Sequence, residues 1–153
     1  MTIFQPFHCE IHAALDELGL LLDEVEKKAL DAQWSPAFQM QVGLVIEELV
    51  VNAIHYGGQD PGEGWIRLNL TGDDQGLHIH LEDNGLAFDP FKSLPTPDTT
   101  SDLEIRPIGG LGVHLVKEMT NLQRYERVAG VNKIYLWKHW ATQDSAPHSE
   151  KPG

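Results

Sequence analysis

Glu48 and Asn52 are two residues of this 153-residue chain whose types and spacing could do chemistry. Helical residues advance by roughly 100° each, so positions four apart stack on one face, about 40° offset. Glu47 lies about 140° from Asn52 and points elsewhere. Val42, Val45, Ile46, Leu49 and Ala53 recur at helical spacing as one apolar stripe. Asn52 sits beside that stripe, where a half-buried amide needs partners. The pair places an acid and an amide on one face. On this stretch alone the favoured reading is a surface acid and a satisfied amide on an ordinary amphipathic helix.

Two further stretches carry chemistry. Glu82-Asp83-Asn84-Gly85-Leu86-Ala87-Phe88-Asp89-Pro90 follows a strand, placing an acid and a glycine where ligands often meet a sheet. Gly109-Gly110-Leu111-Gly112 opens the apolar run Val113 to Met119. Glycines there let backbone N–H groups approach an anion, which the helix dipole favours. The cluster lacks the Lys-Ser/Thr of a phosphate loop and the glycine spacing of a dinucleotide fingerprint. A plain loop-to-helix turn fits it as well. His78 and His80 alternate with Leu77, Ile79 and Leu81, which makes them a solvent-side pair with no third ligand nearby in sequence.

The elements that must position these residues follow from periodicity. Thr2 to Cys9, with Pro6, reads as an edge strand. From Ile11, the positions Leu15, Leu18, Leu22, Val25 and Leu30 predict a helix ending near Ala32. Ser35-Pro36 reads as an N-cap with proline at the first helical position, starting a helix that runs to about Tyr56. Turn residues 57–62 end it. Trp65 to Leu70 and Leu77 to Leu81 alternate as strands around a hairpin loop at 71–76. A proline-containing loop covers 91–108, and loops of that length are usually functional or disordered. Leu122 to Val128 and Val131 to Trp140 form two more strands around Ala129-Gly130. The order predicts an α+β fold, a two-layer α/β sandwich with a mixed, mostly antiparallel sheet and helices on one face. Residues 1–140 form the domain, and 141–153 read as a disordered tail.

Composition narrows the function classes. The net charge of −12 opposes direct nucleic-acid binding and favours a basic protein partner. An anionic nucleotide would need a divalent metal or a nest of backbone N–H groups. No apolar run is read as membrane-spanning. The first residues carry no leader pattern and Cys9 is the single cysteine, which together point to a reducing cytoplasm.

Taken together and in this order, Glu48-x-x-x-Asn52, Asp83-Asn84-Gly85 and Gly109-Gly110-Leu111-Gly112 resemble the N, G1 and G2 boxes of the Bergerat-fold (GHKL) ATPases. The resemblance covers about residues 2 to 140. Phe88-Asp89-Pro90, Arg106 to Leu115 and Tyr125-Glu126-Arg127 resemble the stand-alone anti-sigma-factor serine/threonine kinases of bacterial partner-switching systems. The resemblance implies ATP and Mg2+ as cofactors, with Asn52 holding magnesium and Glu48 as general base. It implies that Asp83 accepts a bond from the adenine amino group and that Gly85 lets backbone approach the base. Residues 91–108 would be the lid. Gly110 and Gly112 would cradle phosphate, with Gly109, Leu111 and Val113 beside them. Phe88, His55 and Gly57 would line the site, and Arg106 is the candidate for the γ-phosphate. The implied partners are an antagonist protein as phosphorylation substrate, a sigma factor and a second copy in a homodimer, with no nucleic acid or membrane.

One position departs from the family pattern. Ala87 stands where the wider family has glycine, which adds a methyl and puts the lid hinge in question. Two rival functions remain open on sequence. One is a nucleotide-sensing binding module that transfers no phosphate; the other is a histidine kinase's catalytic domain acting with a partner chain.

Overall fold

The computed structural model describes residues 4–60, 62–93 and 110–140. Among these residues five strands and four helices follow one another: β1 (Phe7–His12), α1 (Leu15–Asp31), α2 (Pro36–Tyr56), β2 (Trp65–Gly72), β3 (Gly76–Asp83), α3 (Pro90–Ser93), α4 (Gly110–Met119), β4 (Leu122–Val128) and β5 (Val131–His139). Period-two patterning builds the sheet core. Ile66, Leu68 and Leu70 of β2, Leu77, Ile79 and Leu81 of β3, and Ile134 and Leu136 of β5 are all buried. The buried side of α2 supplies Phe38, Val42, Val45, Ile46, Leu49 and Val50. Ser35 caps that helix as its sequence predicts, its Oγ accepting from the Phe38 N–H at 3.2 Å.

The strand order is β1-β2-β3-β5-β4, and every ladder is antiparallel. The expected mixture of directions is absent from these strands. The tight hairpin around Ala129 (φ 51°) and Gly130 (φ 78°) makes β4 and β5 antiparallel neighbours. Because β5 inserts beside β3, β4 is left at the edge and never meets a parallel partner.

Three boundaries differ from those read in the sequence. The edge strand is Phe7–His12 rather than Thr2 to Cys9, and Ile11 belongs to it, opposite Ile66 of β2. Helix α1 therefore starts at Leu15, and its buried side is Leu18, Leu21, Val25 and Ala29, with Leu15 and Leu30 exposed. Residues Pro90–Ser93, read as the end of one loop and the start of another, form the short helix α3. Residues 94–108 of the expected lid and the expected tail at 141–153 lie outside the described residues.

Among the described residues α2 is long and apolar enough by composition to cross a membrane, although Glu47 and Glu48 interrupt its apolar residues. Its role in the core accounts for that composition, since it packs between α1 and α4 and its buried residues share one core cluster with those of the sheet.

Candidate functional site

The site forms where the last turns of α2, the end of β3 and the start of α4 converge. Leu49 of α2 is buried in the core, which fixes the rotation of the helix and turns Glu48 toward α4 and Asn52 toward the end of β3. Glu47 is exposed and faces away, as the helical spacing requires. Asn52 is 1% exposed, deeper than the half-burial its position suggested. Among the described residues neither of its side-chain atoms has a hydrogen-bond partner of normal geometry, and Glu48 Oε1 is likewise buried without one. Unmet buried polar atoms are costly, so three of them together mark a place shaped for something other than stability.

Glu48 is half-buried, and its carboxylate lies directly against Gly112 in the first turn of α4. A Cβ at position 112 would overlap the carboxylate. Burial pushes the Glu48 pKa above that of an ordinary glutamate; the neighbouring Asn52 amide opposes the shift, and the Glu47 charge adds to it. The orphaned carbonyl oxygen of Asn52 suits a hard cation such as magnesium, which takes oxygen ligands and keeps waters or phosphates in its remaining positions.

Asp83 continues the inward stripe of Leu77, Ile79 and Leu81, so the strand's own alternation buries it to 6% exposure. Asn132 sits opposite it in the β3–β5 register. Asp83 Oδ1 accepts from the Asn132 amide and from the Gly85 N–H, both at 2.9 Å. Its Oδ2 accepts no bond from the described residues and stays available. Burial raises the Asp83 pKa, opposed by these two bonds and by the Arg127 charge.

Asn132, which the sequence reading missed, organises the loop after β3. Its amide also donates to the Leu86 carbonyl at 2.8 Å. Its Oδ1 accepts from the Tyr125 hydroxyl at 2.6 Å, from Arg127 at 2.9 Å and from the Phe88 N–H at 3.4 Å. Arg127 donates in turn to the Gly85 carbonyl at 3.0 Å. Gly85 itself meets the end of α2: a Cβ there would come within 2.7 Å of Gly57 Cα. The close approach made by Gly85 is thus to Gly57, sealed by the Leu86 N–H donating to the Gly57 carbonyl at 2.8 Å.

The other expected site residues divide. Phe88 is present, stacked on Tyr56 with ring centroids 4.4 Å apart. His55 is exposed in the last turn of α2. Gly110 and Leu111 open α4, while the Val113 side chain is buried, leaving only its backbone for a ligand. Arg106 and Gly109 lie outside the described residues. Of the expected histidine pair, His78 bonds Asp73 at 2.7 Å and His80 stacks on Tyr135. The void lined by Asn52, Asp83, Leu86, Phe88 and Asn132 measures about 10 Å³, less than a purine occupies.

A family model described as a histidine kinase-like ATPase domain matches residues 11–138. Among curated proteins, the chain is similar to the serine/threonine-protein kinase BtrW of Bordetella bronchiseptica. The two are 29% identical over 125 residues, 82% of this chain and 84% of BtrW. It is also similar to the phosphate regulon sensor protein PhoR of Pseudomonas aeruginosa, 38% identical over 72 residues, which is 44% of this chain and 15% of PhoR. Among solved structures, the RsbU and RsbW domains of a Mycobacterium tuberculosis protein match with a TM-score of 0.61 at 14% identity. That match covers 89% of this chain and 32% of the mycobacterial one, and at such identity it speaks to the fold alone.

Proposed function

This chain belongs to the histidine kinase-like ATPase domain family, and on that premise we propose that it is an ATP-dependent protein serine/threonine kinase acting on an antagonist protein. The observation that carries the reading is the placement of Glu48: half-buried, one turn before Asn52 and against the N-terminal turn of α4. A pure binding module has no need of a carboxylate there. The similarity to BtrW, named as a serine/threonine-protein kinase, supports the same reaction class. A sigma factor held by the free kinase, and assembly as a homodimer, belong to the same reading.

In this scheme Asp83 Oδ2 accepts a hydrogen bond from the adenine amino group, and backbone N–H groups at the start of α4 face the phosphates. Phe88 and Leu86 must give way for the base to enter, because the void beside Asp83 is so small. Asn52 Oδ1 holds magnesium, which when bound offsets phosphate charge. Glu48 takes the proton of the incoming serine or threonine hydroxyl. The hydroxyl oxygen bonds to the γ-phosphorus as its bond to the bridging oxygen breaks, and ADP leaves with that electron pair. The raised Glu48 pKa makes it a stronger base than an exposed glutamate.

The test is transfer of labelled phosphate from ATP to candidate antagonist proteins in a single turnover. Glu48→Ala should lower transfer by about 10²–10⁴-fold, the usual contribution of a positioned base, with ATP affinity nearly intact. Glu47→Ala should change the rate far less. Wild-type protein that binds a partner in a nucleotide-dependent way yet transfers nothing would establish the binding-module reading instead.

A further inference from the structure

Away from the nucleotide site, α1 and α2 leave a solvent-facing groove of about 400 Å³. Val25 and Gly43 lie at its base, Leu22, Met40 and Leu44 form its walls, and Glu26 and Glu47 stand at its edge. Met40 and Leu44 are 59% and 42% exposed, although the other side of the same helix is saturated with core contacts.

Gly43 is the less expected feature. It lies in the middle of α2, where glycine weakens a helix relative to alanine. Among the described residues nothing requires the missing side chain, since an added Cβ would meet none of their atoms within 4 Å. A glycine at the base of a groove does let another backbone come close. The groove runs along α2 from Pro36 to Glu47, roughly 16 Å at 1.5 Å per residue. That is about three turns, a length over which the ridges of one helix fit between two others.

The edge charges select the occupant. No basic residue lines the groove, and neither Glu26 nor Glu47 has an ion-pair partner among the described residues. A second copy of a chain with net charge −12 would meet repulsion there. We propose that the α1–α2 groove docks an amphipathic helix of a partner protein, one whose apolar stripe is flanked by lysine or arginine. The apolar stripe covers Met40 and Leu44, and the flanking cations reach Glu26 and Glu47. Glu47 and Glu48 are consecutive, so the helix that carries the general base on one side carries the docking edge on another.

The probe is a fluorescein-labelled, 18-residue helical peptide with a leucine stripe flanked by lysines. Its control replaces every lysine with glutamate. Anisotropy should show the lysine peptide binding at least tenfold tighter than the control, with affinity falling as salt is raised. Gly43→Leu, which fills the base of the groove, should weaken it at least tenfold, and Glu47→Lys should do the same. Gly43→Leu should keep its cooperative thermal transition and bind ATP as wild type does, so that loss of docking is separable from loss of the nucleotide site. Gly43→Ala should raise the melting temperature while still weakening the peptide. Equal affinity for the two peptides, or unchanged affinity in Gly43→Leu, overturns the proposal. So does a wild-type dimer in sedimentation that Gly43→Leu dissociates, which would assign the groove to a second copy.

Discussion

The carboxylate of Glu48 rests on the backbone of Gly112, across the gap between α2 and α4, with no room for a methyl between them. Gly112→Ala should therefore leave the fold in place, since alanine favours a helix, while displacing either the carboxylate or the first turn of α4. Phosphate transfer should fall at least tenfold with little change in melting temperature. Single-turnover kinetics beside a thermal melt checks both halves. An unaffected rate would mean that the contact is incidental to the chemistry.

Asp83→Asn separates binding from stability. An asparagine oxygen can still accept from Gly85 and Asn132, but an amide nitrogen replaces the free Oδ2. ATP affinity should fall by about 1.5–3 kcal/mol, the worth of a charged hydrogen bond, and the preference for ATP over GTP should narrow. Stability should move the other way. The folded-state pKa of Asp83 is raised, so folding disfavours its charged form. The free protein then loses stability as pH climbs from the ordinary aspartate range through that raised pKa, and bears the full cost above it. The variant should melt higher at neutral pH and show a flatter pH dependence. Calorimetry and melts across pH decide it.

The rate of transfer should depend on the ionisation of Glu48. The proposed mechanism requires its base form and its pKa is raised, so the ascending limb of the pH–rate profile should sit above the ordinary glutamate range. Glu47→Gln removes a charge that contributes to the rise, which should shift the limb to lower pH. A limb that does not move assigns the titration to another group.

Asn132→Ala should be among the most damaging single changes near the site. It strips the acceptor from Tyr125 and Arg127 and the donor from Asp83 and Leu86. Leaving such groups unpaired costs about 1–3 kcal/mol for each buried one. Urea unfolding should show the loss, and ATP affinity should drop with it because Asp83 loses an anchor.

The long helix α2 was legible because cap, proline and apolar stripe all agree. The β2–β3 hairpin was legible because its alternation is unbroken. The start of the chain was not: Phe7, Cys9 and Ile11 fit a strand, but Ile11 also extends the helical spacing of Leu15 and Leu18, and only pairing with β2 decides. The phase of α1 slipped for a related reason. Leu20, Leu21 and Leu22 are consecutive, so apolarity alone does not say that Leu21 is the one turned inward. Glu48 and Asn52 were singled out by helical spacing and Asp83 by its place after a strand, but only the family resemblance joined them into one candidate site. Asn132 was not singled out, because a lone asparagine in a strand carries no local signal and its partners Asp83, Leu86 and Phe88 lie 44 to 49 positions away.

The unmet amide of Asn52 reaches beyond the chemistry of the site. Interior groups without partners subtract from the stability of the folded chain, and a ligand that supplies the partners restores it with the logarithm of its concentration above the dissociation constant. Proteases that attack transiently opened molecules sample the population this balance sets. The persistence of the protein in a living cell should therefore follow the supply of nucleotide. A cell drained of ATP would clear this chain sooner than a well-fed one, with no dedicated degradation signal.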